Sequence, residues 1–369
     1  MSISILAGGD CGPVHGPKQG FNVADYTELV RPTLERADIR LVNCMRTYST
    51  RGVFNAGAPQ VGQPPEMAQI FTDGRFDAVT IANNHIYDNG PEAMLDTRAL
   101  LESKGIQVVG AGRDLAEARK PAVIDKGGVK VAYIGYTSVA PSGAEAGPHK
   151  PGIAPLRVKT TYDIRGPHAS VRILTEPQAS DLDMLVEDVK AAKKIADIVV
   201  VALHTGVIRL PRVISDYQVV AAHACVDAGA DLIVGHSPHI PKAIEVYKGK
   251  VIFYSLGVYC MTRIGSFGSW GAPPWKHGEV GNHTDLDPEY PFMPYGKDCT
   301  KSLLAKAVVS KSGVERVSFL PMKIDKRYRP EVLKANDPRF TEIRDYLEWA
   351  SQGFDHQFAV EGDEVVVRG

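Results

Sequence analysis

Short β-branched runs alternate with amphipathic stretches along the chain. The runs are ISILA (3–7), IRLVN (39–43), DAVTIAN (77–83), IQVVGAG (106–112), KVAYIGY (130–136), DIVVVALH (197–204), DLIVGH (231–236) and KVIFYSLG (250–257). Apolar runs of this length predict strands buried on both faces. Helix signals lie between them. Pro91 stands in the first turn ahead of EAMLDTRALLESKG, which stops at Gly105. Ser180 with Asp183 predicts a capping-box start for LDMLVEDVKAAKKIAD, and DYQVVAAHACVDAGA ends at Gly229. SLLAKAVVSKSGVERVSFLP predicts a hairpin turning at 311–313, followed by a helix over 340–351 and a last strand at 364–367. The alternation predicts an α/β fold in which helices flank sheets.

Two stretches predict no regular structure. One is the Pro-, Gly- and His-rich piece 140–180; the other, 261–301, carries Phe267, Trp270, Trp275, His277, His283, Tyr290, Phe292 and Tyr295. Long insertions in compact enzymes commonly serve as lids or binding loops. Its aromatic residues would either line an apolar substrate pocket or anchor the loop to its own domain. The whole chain, 1–369, reads as a single domain with an active-site loop or lid at 261–301 and a C-terminal extension at 322–369.

Nearly every run that is apolar through its body changes character at its last residues. Asp10, Asn43, Asn84 with His85, His204, and His236 with His239 all fall at predicted strand ends. In parallel-rich α/β sheets, ligands bind beyond the carboxyl edge of the strands. Asp, Asn and several His gathered there are suited to hold a divalent ion or to move protons. Each has a plainer reading as a hydrogen-bonded structural residue; the repetition on different strands favours a site.

The 369 residues are 44% hydrophobic, enough for a large core, and the formal net charge of -1 argues against nucleic acid or an anionic membrane as partner. A small-molecule, anionic substrate is expected, and a homodimer is left open. Five cysteines without CxxC spacing predict reduced thiols. The opening MSISILAGGDCG has no basic region before its apolar stretch, and no apolar run approaches the roughly 20 residues of a bilayer span, so a cytoplasmic location is expected.

GGDCG, FDAVTIANNHIYDNGPEAMLDT, ADIVVVALHTG, GADLIVGHSPHIPKAIEVYKGKVIFYSLG and YLEWASQGFDHQF resemble successive blocks of the CapA-type family associated with poly-γ-glutamate capsule synthesis. The resemblance implies a layered α-β-β-α, metallophosphoesterase-like sandwich of two sheets flanked by helices. It also implies a divalent metal (Mn, Zn, Fe or Mg) held by Asp10, Asn84, His204, His236 and His239, with His85 as an acid. Asp88, three residues on, would orient the His85 imidazole.

The chain departs from that pattern. Met45 and Ile208 stand where the family carries acidic residues, Val258 where it often has Asn, and Ser237 replaces the second His of GHHPH. Two lost carboxylates weaken a site for divalent cations. Cations stand nearby instead: Arg46 and Arg51 after one lost acid, Arg209 and Arg212 after the other. These arginines, with Asn43, form the expected substrate-binding set, in which guanidinium forks grip a carboxylate or phosphate; ordinary surface arginine is the competing reading. Cys11, Cys44 and Cys260 fall in strand-end segments as a soft ligand set, a nucleophile or simple packing residues.

Three functions compete. The leading expectation is a hydrolase in which a metal, or His85 and His204 with an arginine, polarises a phosphoryl or acyl (amide or ester) bond for attack by water. The second is a metal-poor or metal-free lyase or proton-transfer enzyme acting on a small acid, aromatic or otherwise. The third is a non-catalytic binding protein on a degenerate scaffold. Capsule polymer synthesis itself is disfavoured at this point, because it would go with a membrane anchor or exported domain.

Overall fold

A computed structural model of the chain describes every residue except 17–19, 54–61, 165, 167–169, 263–286 and 294–295. Most of the expected lid therefore lies outside the described residues. Two sheets dominate. The first contains β1 (Ile3–Gly12), β2 (Ile39–Cys44), β3 (Ala78–Thr80) and β4 (Gln107–Val109), all parallel. A 2-stranded sheet joins β5 (Ala111–Gly112) to β8 (Gly152–Ile153). The second large sheet contains β6 (Ala122–Lys126), β7 (Val129–Thr137), β11 (Ile198–His204), β12 (Leu232–His236), β13 (Ile244–Tyr247) and β14 (Lys250–Phe253). Within it β7, β11, β12 and β14 run parallel. Chain segments after residue 257 return to the first sheet as β15 (Val258–Met261), β16 (Lys301–Ser310), β17 (Gly313–Ile324), β18 (Pro330–Val332), β19 (Gln357–Glu361) and β20 (Glu364–Arg368).

Side-chain parity explains the layering. Alternate residues of a strand face opposite sides. Ile3, Ile5 and Ala7 of β1, Ile39 and Leu41 of β2, Val200 and Ala202 of β11, and Leu232 and Val234 of β12 share one buried cluster between the sheets. The other face of the first sheet, with Leu6, Val42 and Val79, packs under α1 (Arg31–Leu34), α2 (Gln69–Asp73) and α3 (Gly90–Ser103). The outer face of the second, with Val199, Val201 and Ile233, packs against α4 (Leu115–Arg119), α5 (Ala179–Lys193) and α6 (Asp216–Ala228). Helix α7 (Pro338–Ser351) adds Phe340, Ile343 and Leu347 to the inter-sheet core. The arrangement is the two-sheet, helix-flanked sandwich expected from the sequence.

Several local expectations are corrected. The region 140–180 is irregular only in part: it also holds β8 and a two-stranded ribbon, β9 (Val158–Asp163) with β10 (Arg172–Pro177). Helix α5 starts at Ala179 after Gln178 and has no side-chain cap. Asp181 in its first turn is buried and receives the Arg157 guanidinium at 2.6 and 2.7 Å. A capping box does occur at α6, between Ser215 and Gln218, and that helix ends on left-handed Gly229 (φ 111°) as expected.

Candidate functional site

The inter-sheet core ends in polar side chains because three strands continue their inward parity past the last apolar residue and a fourth, β1, reaches it through an inserted residue. On β2 the sequence Ile39, Leu41, Asn43 keeps one face; on β11 Val200 and Ala202 lead to His204; on β12 Leu232 and Val234 lead to His236. On β1 the parity would place Gly9 there. The register instead runs Ala7↔Leu41 and then Asp10↔Asn43, so one extra residue is inserted and Asp10 takes the inward position. The crossing is close: a side chain at Gly9 would lie 2.0 Å from the Gly257 carbonyl oxygen, while Asp10 N donates to that oxygen at 3.0 Å.

Asp10, Asn43, His85, Asp88, His204, His236 and His239 are all buried. Asn43 Nδ2 donates to Asp10 Oδ1 at 2.7 Å and to His204 Nδ1 at 3.2 Å. His204 Nε2 then donates to Asn84 Oδ1 at 3.1 Å. His239 Nδ1 donates to Asp10 Oδ2 at 2.8 Å, with Ser237 N at 3.4 Å from the same oxygen. His85 Nδ1 donates to Asp88 Oδ2 at 2.9 Å. His236 Nε2 donates to the Gly8 carbonyl at 3.2 Å, leaving a buried Nδ1 with no hydrogen-bond partner among the described residues.

Electrostatics match this wiring. Burial would raise the Asp10 carboxyl, but the His239 hydrogen bond and the charges of His239, His204 and His236 hold it well below the usual carboxylate range. Burial pushes His204 down to about 3 against the pull of Asp10, and burial lowers His236 in the same direction. At neutral pH His204 and His236 are therefore neutral beside the Asp10 carboxylate.

Backbone strain collects in the same corner. Among the described residues six non-glycine positions have positive φ, and three of them, Arg209 (60°), Ser237 (98°) and His239 (59°), lie in the loops after β11 and β12. Left-handed backbone at such residues costs energy and concentrates at ligand sites. The two loops are joined through Arg209 N donating to Pro238 O at 3.1 Å and Thr205 N to His236 O at 3.1 Å.

The expected substrate arginines separate. Arg209 is buried beside the His236–His239 turn. Arg51 is engaged by Asp96, and Arg212 is exposed with its guanidinium 5.6 Å over the Trp349 ring. Arg46 is corrected: its side chain is buried and donates to backbone carbonyls, Met45 O at 3.1 Å and Thr262 O at 3.4 Å. No hydrogen bond or ion pair links Arg46, Arg51 or Arg212 to the Asp10 cluster among the described residues. Cys11, Cys44 and Cys260 are register neighbours on β1, β2 and β15, fully buried in the outer cluster. All five cysteines are free thiols. Of the 261–301 aromatics, Tyr290 and Phe292 anchor to the body: Tyr290 OH donates to Ile324 O at 3.1 Å and Phe292 packs 4.4 Å from His15.

Asn83 is absent from the set expected from sequence, which takes its neighbour Asn84 instead. Its Nδ2 donates to Asn43 Oδ1 at 3.0 Å and Cys44 O at 2.8 Å, and its Oδ1 accepts the amides of His85 and Ile86. It is the link from the His85 turn to Asn43. Both amides reach the cluster, and the dipeptide Asn83-Asn84 gives no signal as to which bonds Asn43 and which His204.

A metal is the cofactor implied by the family resemblance. The donors do not fit one as they stand. The Nδ1 lone pair of His204 accepts from Asn43 while its Nε2 carries the proton toward Asn84, and both Asp10 oxygens accept from neighbours. Met45, where an acid is expected, is buried in the outer apolar cluster. Among the described residues no group of three or more His, Cys, Asp or Glu is arranged to hold an ion. The buried His236 Nδ1 lone pair, without a hydrogen-bond partner among the described residues, favours an unseen partner.

Among described residues, no helix is long and apolar enough to cross a membrane. The chain is 36% identical over 193 residues to the PGA biosynthesis protein CapA of Bacillus subtilis, covering 52% of this chain and 44% of that protein. It is 32% identical over 222 residues to a probable polyglutamine synthesis accessory protein of Mycobacterium tuberculosis, covering 60% and 54%. The match thus spans about half the length of these relatives. A calcineurin-like phosphoesterase, YfkN of Bacillus subtilis, aligns over 95% of this chain and 99% of its own with 12% identity and a TM-score of 0.44. A hypothetical protein from Thermus thermophilus aligns over 87% and 99% with 16% identity and a TM-score of 0.48; both likenesses are too distant to argue from. The family model described as bacterial capsule synthesis protein PGA_cap matches residues 4–261, the span that holds every residue of the cluster, and the chain belongs to that family.

Proposed function

We propose that this protein is an acid–base hydrolase of a phosphoryl or acyl bond in a small anionic substrate, working in or beside poly-γ-glutamate metabolism. The observation that carries the reading is the pair of buried histidine–carboxylate couples, His85–Asp88 and His239–Asp10, brought into one site from different strand ends. Asp88 orients the His85 imidazole, which protonates the leaving group. The Asp10 carboxylate stabilises positive charge on His239 as that imidazole takes a proton from water, by the logic of a carboxylate-oriented base. Arg209 receives the anionic group of the substrate. No step is routed through a metal, since Asp10 and His204 are bonded to Asn43, Asn84 and His239. The names of the relatives bring capsule polymer chemistry back as a substrate source, with glutamyl amides first among the acyl candidates.

A proton-transfer reaction without attack by water is the second reading, favoured by the same closed hydrogen-bond network. Both are tested by assaying the protein on phosphate monoesters and diesters, γ-glutamyl amides and small carboxylic acids. Release of phosphate or amine that His85→Ala abolishes supports the hydrolase. Turnover without uptake of water in solvent-labelling supports the second reading, and no turnover of any class contradicts both.

A further inference from the structure

Lys242 is fully buried, and among the described residues no carboxylate pairs with its side chain. Its Nζ donates to two backbone carbonyls, Val207 O at 2.6 Å and Val213 O at 2.7 Å. Those carbonyls bracket Arg209, on the loop 205–214 between His204 and the start of α6. Lys242 itself follows the His236–His239 turn, and its backbone amide is fixed to Ser255 O at 3.1 Å. It therefore joins the two strained loops of the site from beneath.

We propose that Lys242 is a positioning residue, an amine clasp that fastens the 205–214 loop and so holds Arg209 beside the His236–His239 turn. The inference rests on the reading of that corner as the functional site. A neutral amine has two N–H donors, which two carbonyls satisfy; an ammonium would bury a third N–H without an acceptor. The charged side chains on the elements around it are Arg209 and Arg212 on the loop, Asp216 at the start of α6, Asp345 and Glu348 on α7, and His239 and Glu245 on its own segment; Glu245 is bonded to His223 and Tyr254, Asp216 to Thr175 N, Asp345 to Arg344 and Glu348 to His356, and among the described residues no ion pair joins a carboxylate to Lys242. Burial pushes Lys242 down to about 7, in agreement with the donor count.

The sign of the pH effect follows from proton linkage. Opening the loop wets the side chain and returns it toward its ordinary 10.5, so the open form binds the extra proton between about 7 and 10.5. Closure is thus favoured as pH rises above about 7, by up to about tenfold per pH unit. Deuterium exchange of the full chain, corrected for the intrinsic pH dependence of exchange, reads this directly. Protection of amides in 205–214 is expected to rise with pH through that window while β11 and β12 stay level, and Lys242→Met is expected to leave the loop weakly protected and without the slope. A flat profile in the natural protein overturns the clasp, as does an unchanged slope in Lys242→Met; the natural protein's profile decides alone should that variant fail to fold. The measurement needs no turnover, so a pH-dependent loop in a protein without hydrolase activity upholds the clasp and contradicts only the proposed function.

Discussion

His239 Nδ1 lies 2.8 Å from Asp10 Oδ2, a contact between residues 229 positions apart that closes one sheet edge onto the other. It fixes the His239 ring and leaves the Asp10 carboxylate accepting from both sheets, since Asn43 on β2 donates to the other oxygen. The site is therefore also a seam between the layers, and its protonation states bear on stability as well as chemistry.

Acid sensitivity follows from His204. Between its ordinary 6.5 and its folded value of about 3, the unfolded chain carries a proton at residue 204 that the folded chain excludes. More protons on the unfolded state mean that stability falls as pH falls through this window, by about 1.4 kcal/mol per unit for one group. His236 adds in the same direction. Urea midpoints between about pH 7 and pH 4 are expected to show the slope, and His204→Gln is expected to lessen it. An unchanged slope in the variant contradicts a neutral, buried His204.

His85 and Asp88 separate chemistry from folding. His85→Ala is expected to lower turnover by about a hundredfold or more while the protein stays folded, because general acids contribute on that scale. Asp88→Asn keeps the shape but loses the charge that holds the ring, so a smaller loss with a displaced pH profile is expected. Circular dichroism and thermal melting check the fold. Loss of soluble protein in both variants would mark the couple as structural.

The arginines are expected to behave in opposite ways. Arg46 is buried, its guanidinium bonded to Met45 O and Thr262 O, so Arg46→Ala strips donors from buried carbonyls and opens a void. A loss of about 3 kcal/mol of stability is expected. Arg209→Ala is expected to raise KM by about tenfold, the scale of one charge-assisted contact, with kcat less affected. Denaturant melts and steady-state kinetics of both variants decide; a KM effect confined to Arg46→Ala would reverse the assignment.

Much of this architecture is legible in the sequence because buried parallel strands leave continuous apolar runs, and the polar residues that end them stand out. Asp10, His204 and His236 are visible for that reason. The β1 insertion is not, since Gly8-Gly9 reads equally as a turn and only the register shows which residue faces inward. Arg46 is misleading in the sequence because adjacency to Met45 in the chain says nothing of direction, and its charge is absorbed by carbonyls rather than aimed at the cluster. Lys242 gives no signal because its partners are main-chain atoms at 207 and 213, which no side-chain pattern reveals. The ribbon of β9 and β10 is obscured by the Pro and Gly around its turn.

The buried couples His85–Asp88 and His239–Asp10 are proposed to act by moving protons. Metal content measured together with activity, before and after prolonged chelation of the purified full chain, tests this most directly. Turnover of an anionic phosphoryl or acyl substrate is expected to survive chelation, with metal well below one equivalent. Stoichiometric metal whose removal abolishes turnover, and whose return restores it, would overturn proton transfer by the couples alone and show that His204, His239 and Asp10 exchange their hydrogen bonds for an ion.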